Sequence, residues 1–171
     1  MPPIIRFVGV GTIQLMRRQE SFPDNQAAGM GSSRSNIPYF KNLPNEKKRI
    51  RLAGMKLGVI ANINRPDARS VVERVIKWCR ENKQEFYLPD YLGVISDLEM
   101  PLIPREELPK RCNYILAMGG DGTLLATSRL VGATEVPILG INIGSLGFLT
   151  EQTPHDLELS LIRIKNGNFK L

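Results

Sequence analysis

Cysteine is scarce in this 171-residue chain: there are two, Cys79 and Cys112, too few for a disulfide framework. Both fall in apolar-periodic segments that suit buried, reduced thiols, and they lack the paired spacing of a zinc site. The single histidine, His155, follows Thr153-Pro154 in what reads as a helix's first turn, where an exposed side chain is expected rather than a ligand or base. The single tryptophan, Trp78, is flanked by Lys77 and Arg80, and partial burial at a helix border accounts for it. Long apolar runs are also missing. Tyr114–Met118 and Val136–Ile141 are the longest, far below the roughly 18 residues a membrane-spanning helix needs. The length fits one ordinary domain of roughly 100–200 residues.

Positive charge is present but unevenly placed. The net charge of +6 would suggest an acidic partner such as nucleic acid. Residues 1–54, however, hold nine Lys+Arg and three Asp+Glu, while residues 55–171 hold fourteen of each. The excess therefore belongs to the first third, which carries scattered Gly, Pro, Ser and Asn, shows no sustained apolar period, and reads as a flexible basic segment. Met1–Gln19 has three Arg and no acid, loosely like an organelle presequence, but it lacks a clean apolar region and Glu20 and Asp24 follow. A flexible tail, or sequence upstream of a true start at Met55, is the preferred reading, and a cytoplasmic location is expected. The cluster Lys47-Lys48-Arg49-Ile50-Arg51 reads as a solvated linker.

From Met55 onward strands alternate with helices. Lys56–Ala61 is a short buried strand, and Asn62–Asp67 turns into a helix whose Ala68, Val71, Val72, Val75, Ile76 and Cys79 share one face. Glu85–Leu88 is a second strand, and residues 89–111 form a Pro-broken stretch with at most a short helical turn. Asn113–Met118 and Val136–Ile141 are strands separated by a helix from about Gly122 to Val131. A last helix runs from Thr153, as N-cap, to Lys165, with Gly167 as its stop. Continuous apolar strands between helices predict an α/β fold: a Rossmann-like, doubly wound parallel sheet over residues 55–171.

The third strand runs into Gly119-Gly120-Asp121-Gly122-Thr123 and then a helix, where open α/β sheets bind ligands. Glycines let backbone N–H groups approach a phosphate, and the helix N-terminus adds unpaired donors. Asp121 admits two readings. It is an N-cap above a tight turn, or it orients or deprotonates a sugar hydroxyl or holds a cation. By composition the five-residue string is expected on the order of once in several thousand chains of this length. No Lys follows its final Gly, so this is not a Walker A loop, and a transferred phosphate must be neutralised by a metal ion or by groups elsewhere.

A second Gly-rich loop, Asn142–Thr150, follows the fourth strand. Gly144 and Gly147 free the backbone for close approach, Asn142 can donate and accept hydrogen bonds, and Phe148 could stack on a base or pack in the core. Arg129, two turns beyond the first loop, reads as a solvated cation. Asp97, Glu99, Glu106 and Glu107 read as a surface stretch.

These two loops resemble the G-G-D-G-T and N-x-G-x-L-G-F-L motifs of the NAD kinase family, and Lys56–Asn62 with Arg65-Pro66 is similar to its first strand and turn. Diacylglycerol-type lipid kinases and phosphofructokinases share a related Gly-Gly-Asp-Gly loop; the second motif favours NAD kinase. The resemblance implies transfer of the ATP γ-phosphoryl group, with a divalent cation such as Mg2+, to the adenosine 2′-hydroxyl of NAD. It also implies Asp121 as proton acceptor, and Asp121, Gly122, Phe148 and Asn142 at the NAD site. Gly119, Gly120, Gly122, Thr123, Gly144 and Gly147 would form the phosphate loops, with no protein-held metal site, and the complete protein would be a homodimer or homotetramer. Family members continue into a second, mostly β domain with an Asn-Glu motif for NAD, so a fragment or incomplete form is expected here, with its own activity open. The alternatives are a lipid kinase and a non-catalytic dinucleotide-binding module.

Overall fold

The computed structural model describes residues 54–95, 102–144, 149 and 152–169. The expectations for residues 1–53, Asp97, Glu99, Gly147 and Phe148 lie outside them. Five parallel strands, β1 (Lys56–Ala61), β2 (Glu85–Pro89), β3 (Leu102–Ile103), β4 (Tyr114–Gly119) and β5 (Ile138–Asn142), form one sheet in the order β3-β2-β1-β4-β5. The helices are α1 (Ala68–Glu81), α2 (Leu108–Arg111), α3 (Asp121–Val131) and α4 (Leu157–Lys165).

Alternation along the strands divides the core in two. Leu57, Val59 and Ala61 of β1, with Leu116, Met118, Leu139 and Ile141, pack under α1 and α4. Ile60, Ile115, Ala117 and Ile138 point to the other face, beneath Leu108 of α2 and Leu124 and Val131 of α3. Both faces are thus covered, which is why the strands are apolar without interruption. Every residue of the expected α1 face is buried. Trp78 departs from expectation: it is only 6% exposed and belongs to the core under α1 rather than to its border.

Glycine 58 explains how α2 comes so close. A Cβ there would lie 2.9 Å from Cys112 Sγ and 3.3 Å from Leu108 Cδ2, so the bare backbone admits the thiol against the sheet. Burial pushes the thiols of both Cys79 and Cys112 up to about 12, leaving them protonated packing groups.

Boundaries shift where backbone chemistry demands it. Strand β5 begins at Ile138, because Pro137 has no N–H to pair, although its carbonyl still accepts from Ile115 N at 2.9 Å. The last helix opens with a tight 3-10 turn, Pro154–Asp156, before α4 proper. Thr153 caps it as expected: its N–H and hydroxyl both donate to Asp156 Oδ2, at 3.0 and 2.8 Å. The Thr153 backbone N–H holds the Asp156 carboxyl below the usual range. Gly167 ends the helix at φ +68°. Residues 89–111 hold more than one helical turn: 3-10 turns at Asp90–Val94 and Arg105–Glu107, the edge strand β3 and α2. Among the described residues no helix is long and apolar enough to cross a membrane.

Candidate active site

The strand order reverses direction at β1: β2 and β3 lie to one side, β4 and β5 to the other. Loops leaving the carboxyl ends of β1 and β4 therefore diverge and open a crevice between them. A crevice of about 540 Å3 lies there, walled by the β1–α1 turn, by Gly120–Thr123 and Ala126, and by Tyr91 and Arg105 from the β2–β3 side.

Each wall is held in place by identifiable bonds. Asn62 N donates to Met118 O at 2.9 Å, tying the end of β1 to β4, and Asn62 Oδ1 accepts from Asn64 N at 3.1 Å. This side-chain turn, with Arg65 N donating to Asn62 O at 3.1 Å, sets Arg65 at the crevice. The Tyr91 hydroxyl accepts from Ala61 N at 3.1 Å and donates to Ala61 O at 3.2 Å. Burial raises the Tyr91 phenol above its ordinary value, so it remains a neutral brace at the end of β1.

The loop after β4 places Asp121 one residue inside the helix. The N-cap of α3 is Gly120, and Asp121 is the first helical residue. Its Oδ1 accepts a hydrogen bond from Leu149 N at 3.1 Å, so the carboxylate reaches out of the helix toward the second Gly-rich loop instead of capping its own turn. The two loops thus meet at Asp121. It is the one carboxylate among the described residues lining the crevice, against two guanidinium groups, Arg65 and Arg105, and the N-terminus of α3. That balance suits an anion.

The glycines divide by what they admit. A Cβ on Gly119 would fall 2.1 Å from Thr123 Oγ1 and 2.6 Å from Thr123 Cβ, so Gly119 is demanded by the fold itself. Thr123, half-buried, seals the base of the loop. Gly120 and Gly122 line the crevice, and a Cβ on Gly122 would meet nothing within 4 Å. A Cβ on Gly144 would sit 3.0 Å from Arg65 Cζ. Its bareness lets the β5 loop and the β1–α1 turn approach each other.

Asn142 ends β5 paired with Gly119 and is 7% exposed, so it lies behind the loop and not in the crevice lining. Arg129 and His155 are exposed, as expected. Sequence reasoning missed Arg65, Tyr91 and Arg105 as site residues. For Arg65 a signal existed, since it follows a strand adjoining the point where strand order reverses. Among the described residues no group of three or more His, Cys, Asp or Glu could hold a metal ion.

Comparison with known proteins gives the site its family. The model of the ATP-NAD kinase N-terminal domain matches residues 57–169. The NAD kinase of Syntrophotalea carbinolica is 41% identical over 117 residues, covering 68% of this chain and 41% of that protein. That of Methanopyrus kandleri is 36% identical over 115 residues, covering 67% and 41%. A crystal structure of yeast NADH kinase complexed with NADH superposes with TM-score 0.61 at 21% identity, over 74% of this chain and 43% of that one, and so shares the fold. The chain spans about two fifths of the length of these curated relatives. On the match over residues 57–169, the chain belongs to the NAD kinase family, of which it carries the N-terminal domain.

Proposed function

We propose that this chain supplies the nucleotide-binding half of an NAD kinase, which moves the γ-phosphoryl group of ATP to the 2′-hydroxyl of the adenosine ribose of NAD and yields NADP. The observation that carries this reading is the placement of Asp121, at the head of α3 beside the bare backbone of Gly120 and Gly122 and held by Leu149 N. A carboxylate within hydrogen-bond reach of the acceptor hydroxyl takes its proton as the ribose oxygen forms its bond to phosphorus. The bond from the γ-phosphorus to the bridging oxygen breaks and ADP leaves with that electron pair. Backbone N–H groups at the start of α3 and the two arginines offset the charge on the phosphates.

A divalent cation, Mg2+ in this reading, would be carried in with ATP and would supply charge neutralisation to its phosphates. Among the described residues the crevice lining holds no carboxylate besides Asp121, so such an ion would be held mainly by the substrate phosphates. Gly122 contacts the acceptor nucleoside, and Phe148, in the second loop, lines the dinucleotide site. The complete protein works in the cytoplasm as a dimer or tetramer and supplies NADP.

The test is to join residues 1–171 to the C-terminal remainder of a curated relative and assay NADP formation with ATP and magnesium, beside residues 1–171 alone. NADP from the joined chain is expected. No NADP from it, or phosphorylation of a diacylglycerol or sphingoid base with NAD untouched, overturns the assignment, and NAD binding without turnover leaves a dinucleotide-binding module instead.

A further inference from the structure

The first Gly-rich loop carries no lysine after its final glycine, so the negative charge of a transferring phosphoryl group must meet side chains from elsewhere. Two guanidinium groups reach the crevice from elements far apart in sequence: Arg65 from the turn after β1 and Arg105 from the 3-10 turn after β3. Three other arginines of the domain stand in ion pairs, Arg69 with Glu73, Arg74 with Glu158 and Arg111 with Glu107, and Arg80, Arg129 and Arg163 do not line the crevice. Arg65 and Arg105 have no carboxylate partner among the described residues. Arg105 goes further, for its Nε is buried and has no hydrogen-bond partner among the described residues. A buried donor on a permanent cation is unfavourable until an acceptor entering the crevice completes it, and an anion does so with added charge attraction.

The sheet order says which anion. Asp121 follows β4, and its carboxylate is tied to Leu149 on the β5 side. An acceptor hydroxyl presented to Asp121 therefore approaches from that side. In-line transfer requires the donor to lie opposite the acceptor across the transferring phosphorus. The opposite side is the β1–β3 half of the crevice, where Arg105 sits. Arg65 stands at the middle, its guanidinium packed against Gly144, with Nη2 3.9 Å from where a Cβ on Gly120 would be. It spans the gap between the two Gly-rich loops.

Resting on the kinase reading above, we infer that Arg65 and Arg105 form a two-armed clamp on the polyphosphate of the nucleoside triphosphate donor, in place of the lysine of a P-loop. Arg65, beside the α3 N-terminus, takes the transferring phosphoryl group. Arg105 takes the phosphates that leave with the nucleoside. Both are positioning residues for the donor and not for NAD, although NAD also carries a pyrophosphate.

The experiment has two arms. On residues 1–171, calorimetric titration with inorganic triphosphate is compared for the wild type, R65Q and R105Q, with melting curves recorded for each. The dissociation constant rises about tenfold or more in both variants at unchanged melting temperature. On the joined chain, R65Q and R105Q raise KM for ATP about tenfold or more, keep KM for NAD within about twofold, and R105K recovers part of the loss. Triphosphate binding equal to wild type in both variants, or a KM effect falling on NAD instead of ATP, overturns the clamp. If the joined wild type makes no NADP while R65Q and R105Q still weaken triphosphate binding, the clamp stands and the kinase reading falls.

Discussion

Asp121→Asn in the joined chain lowers the rate of NADP formation by about 10^2- to 10^4-fold, the contribution typical of a positioned general base, and moves the melting temperature by no more than about 2 °C. The asymmetry follows from what the side chain touches. The N-cap of the helix is Gly120, and Asp121 Oδ1 accepts a hydrogen bond from Leu149 N. Asparagine retains an amide oxygen for that bond, so the junction between the two loops survives. What disappears is an acceptor for the hydroxyl proton. A parallel loss of activity and stability would instead assign Asp121 a structural role. Steady-state kinetics beside thermal denaturation separates the two.

Gly119→Ala has the opposite signature. Its new Cβ would lie 2.1 Å from Thr123 Oγ1, 2.6 Å from Thr123 Cβ and 3.0 Å from Thr123 Cγ2. Thr123 is a short, β-branched side chain on the first turn of α3 and cannot swing clear at the Cβ. Relief requires moving either the end of β4, which pairs with β5 through Asn142, or the start of α3. Overpacking of this kind costs about 2–3 kcal/mol, which lowers the melting temperature by roughly 10 °C or more in a domain of this size. Gly122→Ala, three residues on, is the control. Nothing lies within 4 Å of its added methyl, and alanine favours the helix by up to about 0.5–1 kcal/mol. It keeps or raises the melting temperature while weakening nucleotide binding. The pair separates a glycine the fold requires from one a ligand requires, with thermal denaturation and nucleotide titration as the readouts.

Such distinctions mark where the sequence was legible. The α1 face and the strands β1, β4 and β5 could be read because both sides of the sheet are buried, which leaves continuous apolar runs and one clean helical face. Residues 89–111 were obscure for a physical reason. A strand of two residues, Leu102–Ile103, carries no period, and Pro101, Pro104 and Pro109 break the pattern around it. The Gly119–Thr123 loop was visible as a string of residue types, but the partner of Asp121 was not, because Leu149 lies 28 positions away and contributes only a backbone N–H. Arg65 and Arg105 were invisible as a pair for the same reason. Forty positions separate them, and only the order β3-β2-β1-β4-β5 brings their loops to one end of the sheet. Asn142 suited a ligand contact by its type; its place at the end of β5, paired with Gly119, leaves it 7% exposed. The +6 net charge lies wholly within residues 1–54.

The decisive measurement uses an NAD analogue whose adenosine ribose lacks the 2′-hydroxyl, given with ATP and magnesium to the joined chain. Transfer aimed by Asp121 at that hydroxyl means that the analogue occupies the site, inhibits competitively against NAD, and yields no phosphorylated product and no ADP above background. A phosphorylated analogue formed at a rate comparable to NADP would show that the crevice directs the phosphoryl group to another position.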